Sequence, residues 1–326
     1  SARPNVGISI LDGINEKVGD KVKVSYAKGC HITKDNEVIE TETEIIVDNP
    51  NLYTLEEELD SINEAIEIAK CSDVAIVCIG GSPNSSREAV TLQKNYGDNA
   101  SLDLVGQQTE LLRKVLETGT PTIVVLINGK PLSCSYVYEN APAVLEGWYL
   151  GQETGRAIAD VIFGDVNPGA KLPVTIARSA GHLPAYYSQK STGFLKDYLF
   201  EKEGPLFCFG YGLSYTTFEY NQLELSKEMI NMNESVEVSV YVTNTGSRAG
   251  DEIVQMYIKD KVASVTRPEK LLKGFKRITL EPGERKKIIF TVTTKDLEFT
   301  GVDYKPTIEP GTYYIMVGCN SEDYHT

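Results

Sequence analysis

Apolar positions between residues 5 and 164 switch repeatedly between helical spacing and short unbroken runs. Asn5 stands where a helix cap belongs, ahead of Ile8, Leu11, Ile14 and Val18 on one helical face, and Val22–Tyr26 then alternates as a strand. Thr54 followed by Glu57 is a capping box, with Leu55, Leu59, Ile62, Ala65, Ile66 and Ala69 continuing the apolar face behind it. The run 73–81 predicts a buried strand, 104–116 a helix, 122–127 and 143–148 two more strands, and 153–163 a closing helix. Strands that are apolar on both faces and separated by helices form a mostly parallel sheet flanked by helices, an α/β sandwich. The series opens on a helix, where a βα unit would supply a strand first.

After about Tyr215 the period becomes two. Val236–Val242, Ile253–Ile258, Lys287–Val292 and Thr312–Val317 read as strands. The turn sequences Asn244-Thr245-Gly246, Glu281-Pro282-Gly283-Glu284 and Glu309-Pro310-Gly311 lie between or before them. This spacing predicts an antiparallel β-sandwich. Between the halves, Leu183, Tyr186, Tyr187, Phe207, Phe209 and Tyr211 are too apolar for a flexible linker. The expected division is an α/β domain over residues 1–180, an ordered connector over 181–217 and a β-sandwich over 218–326.

Composition narrows the partners. The 326 residues carry 32 basic and 46 acidic side chains, a formal net charge of −14. Nucleic acid and anionic membrane both call for a basic face, so neither is an expected partner. No apolar run reaches the roughly 20 residues of a membrane-spanning helix. Six cysteines (Cys30, Cys71, Cys78, Cys134, Cys208, Cys319) are widely spaced with no CxxC pair, and there are three histidines, so no metal and no other cofactor is expected. Cys78, inside the run Val74–Ile79, is expected as a buried reduced thiol, which leans towards a reducing, cytoplasmic compartment. Residues 1–5 have no export-signal character, which bears on compartment only if the chain begins the protein.

The chemistry concentrates in one loop. The strand ending at Gly80-Gly81 is followed by a long segment, Ser82 to Asp103, leaving the carboxyl end of a parallel strand, where open α/β sheets place their ligands. It carries Arg87, Glu88 and Asp98. Dinucleotide, P-loop and G-x-S-x-G patterns are absent, and His182 in Gly181-His182-Leu183-Pro184 reads as structural. Trp148 reads as packing first, and Tyr241, Tyr257 and Tyr313 as core or sheet-face packing. A carbohydrate-binding or interaction module without catalysis is the reading from another class that the tyrosines permit.

Four stretches carry a family resemblance. Glu146–Gly155, with Trp148-Tyr149-Leu150-Gly151, and Ala159–Thr175, with Asn167-Pro168-Gly169-Ala170-Lys171-Leu172-Pro173, resemble the C-terminal domain of glycoside hydrolase family 3, the β-glucosidase and β-xylosidase family. Pro205–Phe218 resembles that family's junction to a fibronectin type III-like domain, and Val262–Phe275 matches within that domain. The resemblance implies a retaining mechanism, with an Asp nucleophile on an N-terminal TIM barrel and an acid/base Glu on a long loop of the α/β domain. Ser85-Ser86-Arg87-Glu88-Ala89 resembles the loop bearing that acid/base in one bacterial branch, which makes Glu88 the candidate acid/base and Arg87 and Asp98 candidate substrate-binding residues. Two positions depart from that branch: Val90 where an aromatic residue is common, and Asn99 where Arg often follows Gly-Asp. The substrate implied is a β-linked glucoside or oligosaccharide, with a β-xyloside as alternative. The chain is then expected to be a C-terminal fragment that docks on a barrel it lacks and is inactive alone.

Overall fold

The computed structural model describes residues 7–34, 38–40, 45–47, 51–82, 85, 99–190, 198–199 and 201–326. They fall into two compact units, Ser1–Phe163 with Ala177–Leu183, and Gly164–Ile176 with Pro184–Thr326.

The first unit opens with α1 (Ile10–Val18). Its cap is Ser9 rather than the expected Asn5, which lies outside the described residues. Ser9 has an acidic residue three positions on: its Oγ accepts from the Asp12 N–H (3.1 Å), while its own N–H donates to Asp12 Oδ2 (3.2 Å). The third residue after Asn5 is Ile8, which can return no such bond. Val22–Tyr26 is not a strand: among the described residues none hydrogen-bonds to it as a ladder, and Val22 and Tyr26 are exposed. The chain beyond is pinned instead by Glu58, whose buried carboxylate accepts from the N–H (2.9 Å) and Nδ1 (2.8 Å) of His31. A short antiparallel pair, β1 (Val38–Glu40) and β2 (Ile45–Val47), precedes α2 (Leu55–Lys70), whose Thr54–Glu57 capping box forms as expected.

The sheet is parallel, in the order β3 (Ala75–Gly80), β4 (Thr122–Ile127), β5 (Ala143–Glu146). Its register aligns Val77 with Val124 and Ile79 with Leu126 on one face. These side chains form a core with Ile62 and Ala69 of α2, Leu111, Leu112 and Val115 of α3 (Gln108–Glu117), and Val137 of α4 (Ser135–Asn140). α3 starts later than its apolar spacing suggests because Gly106, at φ +67°, turns the chain first. Cys78 corrects the expectation of a buried thiol: it is exposed, on β3, which among the described residues is paired on one side alone, and on the face that this core does not use. α5 (Thr154–Ile162) and α1 cross at two glycines, and a Cβ on Gly13 would stand 2.2 Å from the Gly155 carbonyl carbon.

The second unit is antiparallel throughout. One sheet runs β10 (Arg285–Thr293), β7 (Ser235–Asn244), β6 (Phe218–Leu225). The other runs β14 (Tyr324–His325), β13 (Tyr313–Gly318), β8 (Gly250–Asp260), β9 (Leu271–Leu280), and a two-residue pair, β11 (Phe299–Thr300) with β12 (Pro306–Thr307), lies outside both. Alternate residues, among them Val238, Val240, Val242, Val254, Met256, Leu280 and Phe290, meet in a shared core. The segment 164–176 belongs here too. Lys171 pairs with buried Glu252 (3.1 Å), which also accepts from the Tyr220 hydroxyl (2.8 Å), and Ile176 bridges to Phe207. Tyr257 is fully buried, and Arg285 lies 4.1 Å over the Tyr241 ring. The first unit followed by this one is an α/β domain plus a fibronectin type III-like β-sandwich.

Candidate functional site

At and just beyond the carboxyl ends of β3, β4 and β5 stand the polar residues Asn128, Lys130 and Glu146. At the end of β3, Gly80 adopts φ +147°, and a Cβ there would lie 2.1 Å from the Ile127 carbonyl oxygen, so the position takes glycine. The buried carboxamide of Gln108 clamps both backbone groups of Gly80: Oε1 accepts from its N–H (2.7 Å) and Nε2 donates to its carbonyl (3.0 Å). The chain therefore leaves the sheet at a fixed point. Ser82 and Ser85 then close a turn through the Ser85 N–H to the Ser82 carbonyl (3.0 Å) and the Ser82 N–H to Ser85 Oγ (2.8 Å).

The loop returns at Asn99. Ser85 and Asn99 line the same small hollow with Gly81, Asp103 and Lys130, the last at the end of β4. The returning stretch is tied down where the Ser133 N–H donates to the Leu102 carbonyl (2.8 Å) and Ser101 Oγ to Asp103 Oδ2 (2.9 Å). Both roots of the loop thus meet at the carboxyl edge of the sheet. Arg87, Glu88 and Asp98, the three residues assigned from sequence, lie outside the described residues.

A second carboxyl group is one that sequence reasoning passed over. Glu146 ends β5, in register with Leu126 and so on the core face of the sheet. Burial pushes its carboxyl up to about 7, against the N–H of Trp148, the Asn128 side chain and the Tyr138 hydroxyl, which each favour the charged form. The Trp148 N–H lies 3.2 Å from Oε1 and the Tyr138 hydroxyl 3.5 Å from Oε2. Trp148 itself sits at φ +48°, a left-handed conformation that costs a non-glycine residue roughly 1–2 kcal/mol. The Glu146 bond is the visible compensation. Asn128, fully buried at the end of β4, donates to the Lys130 carbonyl (2.8 Å), and its Oδ1 has no hydrogen-bond partner among the described residues. The sequence signal for this cluster was a lone acid closing the apolar run Ala143-Val144-Leu145, directly before Gly147-Trp148.

Chemically, the edge offers a proton-holding carboxyl at Glu146, an amide oxygen at Asn128 and an ammonium at Lys130. Among the described residues the edge holds no hydroxyl–imidazole pair: His182 sits instead against Ser179 Oγ (3.0 Å) in a single 3₁₀ turn. Among the described residues no cluster of His, Cys, Asp or Glu could hold a metal ion, and no helix is long and apolar enough to cross a membrane.

Comparison with known proteins gives the family. The model of the glycosyl hydrolase family 3 C-terminal domain matches residues 1–215, and that of a fibronectin type III-like domain matches residues 252–321. A β-xylosidase of Formosa agariphila is 44% identical over 99% of this chain and 41% of its own length. A periplasmic β-glucosidase of Salmonella typhimurium is 39% identical over 97% of this chain and 42% of its own. Among solved structures, a β-glucosidase from Erythrobacter marinus superimposes with a TM-score of 0.91 at 41% identity, covering 99% of this chain and 43% of that one. A Listeria innocua β-glucosidase bound to gluconolactone gives 0.81 at 28% identity over 98% and 41%. The chain spans about two-fifths of the length of these relatives.

Proposed function

Since the chain belongs to glycoside hydrolase family 3, we propose that it serves as the C-terminal portion of a retaining, exo-acting β-glycosidase, acting on β-linked glucosides. Retention needs two carboxyl groups about 5 Å apart across the glycosidic bond. Glu88 supplies one, as acid/base, with Arg87 and Asp98 at the substrate. The nucleophile lies on a TIM barrel outside this chain, against which the α/β domain docks. The observation that carries this reading is the loop whose roots, Ser85 and Asn99, meet at the carboxyl edge of a parallel strand in a chain of this family. A loop closing over a sugar from that edge would shed water from its carboxyl and raise its pKa, as a general acid requires.

The test uses the complete enzyme. Glu88→Gln should lower kcat by orders of magnitude for alkyl glucosides, least for substrates with good leaving groups, and azide should restore turnover as the glycosyl azide. Unchanged activity moves the acid/base to another residue. The present chain by itself should not hydrolyse aryl β-glucosides, and turnover by it would refute a divided site. A β-xylosidase is the second reading, favoured by the identity to the Formosa protein. Comparing kcat/KM for aryl β-glucoside and aryl β-xyloside separates the two.

A further inference from the structure

The second unit contains two of the six cysteines, Cys208 and Cys319, while Cys30, Cys71, Cys78 and Cys134 all belong to the first. Nothing in the glycosidase reading uses them. Far apart in sequence, they are side by side in the fold. Cys208 lies on the stretch following the bridge at Phe207, and Cys319 follows β13. The two backbones are tied directly, the Ser321 N–H donating to the Phe209 carbonyl (3.0 Å). A single side chain spans them as well: Gln255 Nε2 donates to the carbonyls of Gly210 (3.2 Å) and Cys319 (2.6 Å).

Both sulfurs touch one carboxamide. Cys208 Sγ lies 3.2 Å from Asn320 Oδ1, and Asn320 Nδ2 lies 3.3 Å from Cys319 Sγ. The amide is held independently of them, since Oδ1 also accepts from the N–H groups of Glu322 (2.9 Å) and Asp323 (2.8 Å). The Cys319 sulfur also lies 3.4 Å from Asp323 Oδ2 in the same turn, and the turn's own backbone bonds do not depend on either sulfur. Both residues are partly accessible.

We propose that Cys208 and Cys319 are a cross-link site, closing to an intramolecular disulfide when a disulfide oxidant such as oxidised glutathione is present. The Cys208 thiolate attacks one sulfur of the oxidant, forming a mixed disulfide and releasing one thiolate. The Cys319 thiolate then attacks Cys208 Sγ, forming the Cys208–Cys319 bond and expelling the second thiolate. Two electrons pass from the protein thiols to the oxidant, and the two thiol protons go to solvent. The bond staples the stretch 205–212 to the end of β13 and closes a long loop of the unfolded chain, the situation in which a disulfide constrains that chain most.

The experiment equilibrates the whole chain with a glutathione redox buffer, quenches it, and titrates thiols in denaturant. The expected result is loss of two of six thiols, with digestion under non-reducing conditions yielding one linked peptide pair containing Cys208 and Cys319. Six remaining thiols, two glutathione adducts in place of a link, or a link between any other pair would overturn the proposal. The oxidised wild type should also lose on the order of 10 °C of melting temperature when reductant is added, and Cys208→Ser should not respond. Equal sensitivity of both would overturn it too. Peptide mapping of the wild type decides the matter even if the variant folds poorly.

Discussion

Replacing Glu146 by Gln isolates the electrostatic consequence of ending a buried strand on an acid. The wild-type carboxyl is pushed from 4.5 up to about 7 by burial. A raised value means that the folded state holds the proton more tightly than the unfolded chain does. The protonated form therefore carries no penalty below pH 4.5, and stability is lost as pH rises from there to about 7, beyond which it levels off. At about 1.4 kcal/mol per tenfold change, the full penalty is roughly 3 kcal/mol, an upper figure for a side chain that is not completely enclosed. Gln keeps an oxygen for the Trp148 N–H and an N–H2 for its neighbours, and it cannot ionise. Urea unfolding of wild type and Glu146→Gln at pH 5 and pH 8 reads the difference. Trp148 is the single tryptophan of the chain, so its fluorescence reports this unit. The wild type should weaken from pH 5 to pH 8 by up to about 2.5 kcal/mol more than the variant does, part of the loss having occurred by pH 5, leaving the variant the more stable at pH 8. The exposed carboxyl of Glu57, held down to about 2 by Lys34 and the Thr54 N–H, acts in a separate window, losing its contribution only as pH falls below 4.5. A variant with the wild-type pH slope, or one clearly less stable at pH 8, would refute the argument and show that the Trp148 and Tyr138 bonds outweigh desolvation.

Other substitutions probe the frame around the site. Gly80→Ala sets a Cβ against the Ile127 carbonyl, which cannot retreat without breaking the ladder. It should cost at least about 3 kcal/mol by chemical denaturation, and a loss under 1 kcal/mol would mean that the turn is softer than described. Thr54→Ala removes one half of the α2 capping box and should cost about 1 kcal/mol, with Thr54→Ser restoring most of it. Lys171→Met leaves Glu252 buried with the Tyr220 hydroxyl but no cation, and should destabilise the second unit by roughly 3–5 kcal/mol. Adding Glu252→Gln to that variant should recover part of the loss, and a purely additive double mutant would rule out the pair as a coupled unit.

How far such a site can be read from sequence depends on whether its determinants are local. The Thr54–Glu57 box, the turn at Gly283 and the alternation of Val238, Val240 and Val242 are settled within a few residues, and each stands in the fold where its pattern places it. The misreadings share a non-local cause. Asn5 against Ser9 is the exception, decided locally: Ser9 has Asp12 three positions later, where Asn5 has Ile8. Val22–Tyr26 alternates as a strand should, but a strand exists only through a neighbour, and none of the described residues is paired with it. Cys78 sits in a run as apolar as that of β4, yet among the described residues β3 is paired on one side alone, which no run of letters declares. α4 has too few turns for a period to be counted. Glu146 looks like the end of a strand, and only its burial in the folded unit turns it into a carboxyl whose proton is held near neutrality. A divided glycosidase site is the extreme of this dependence. Glu88 was proposed from the resemblance of its neighbours rather than from any periodicity, because the second carboxyl group, which gives an acid on this loop its meaning, is contributed in the proposed mechanism by a different domain.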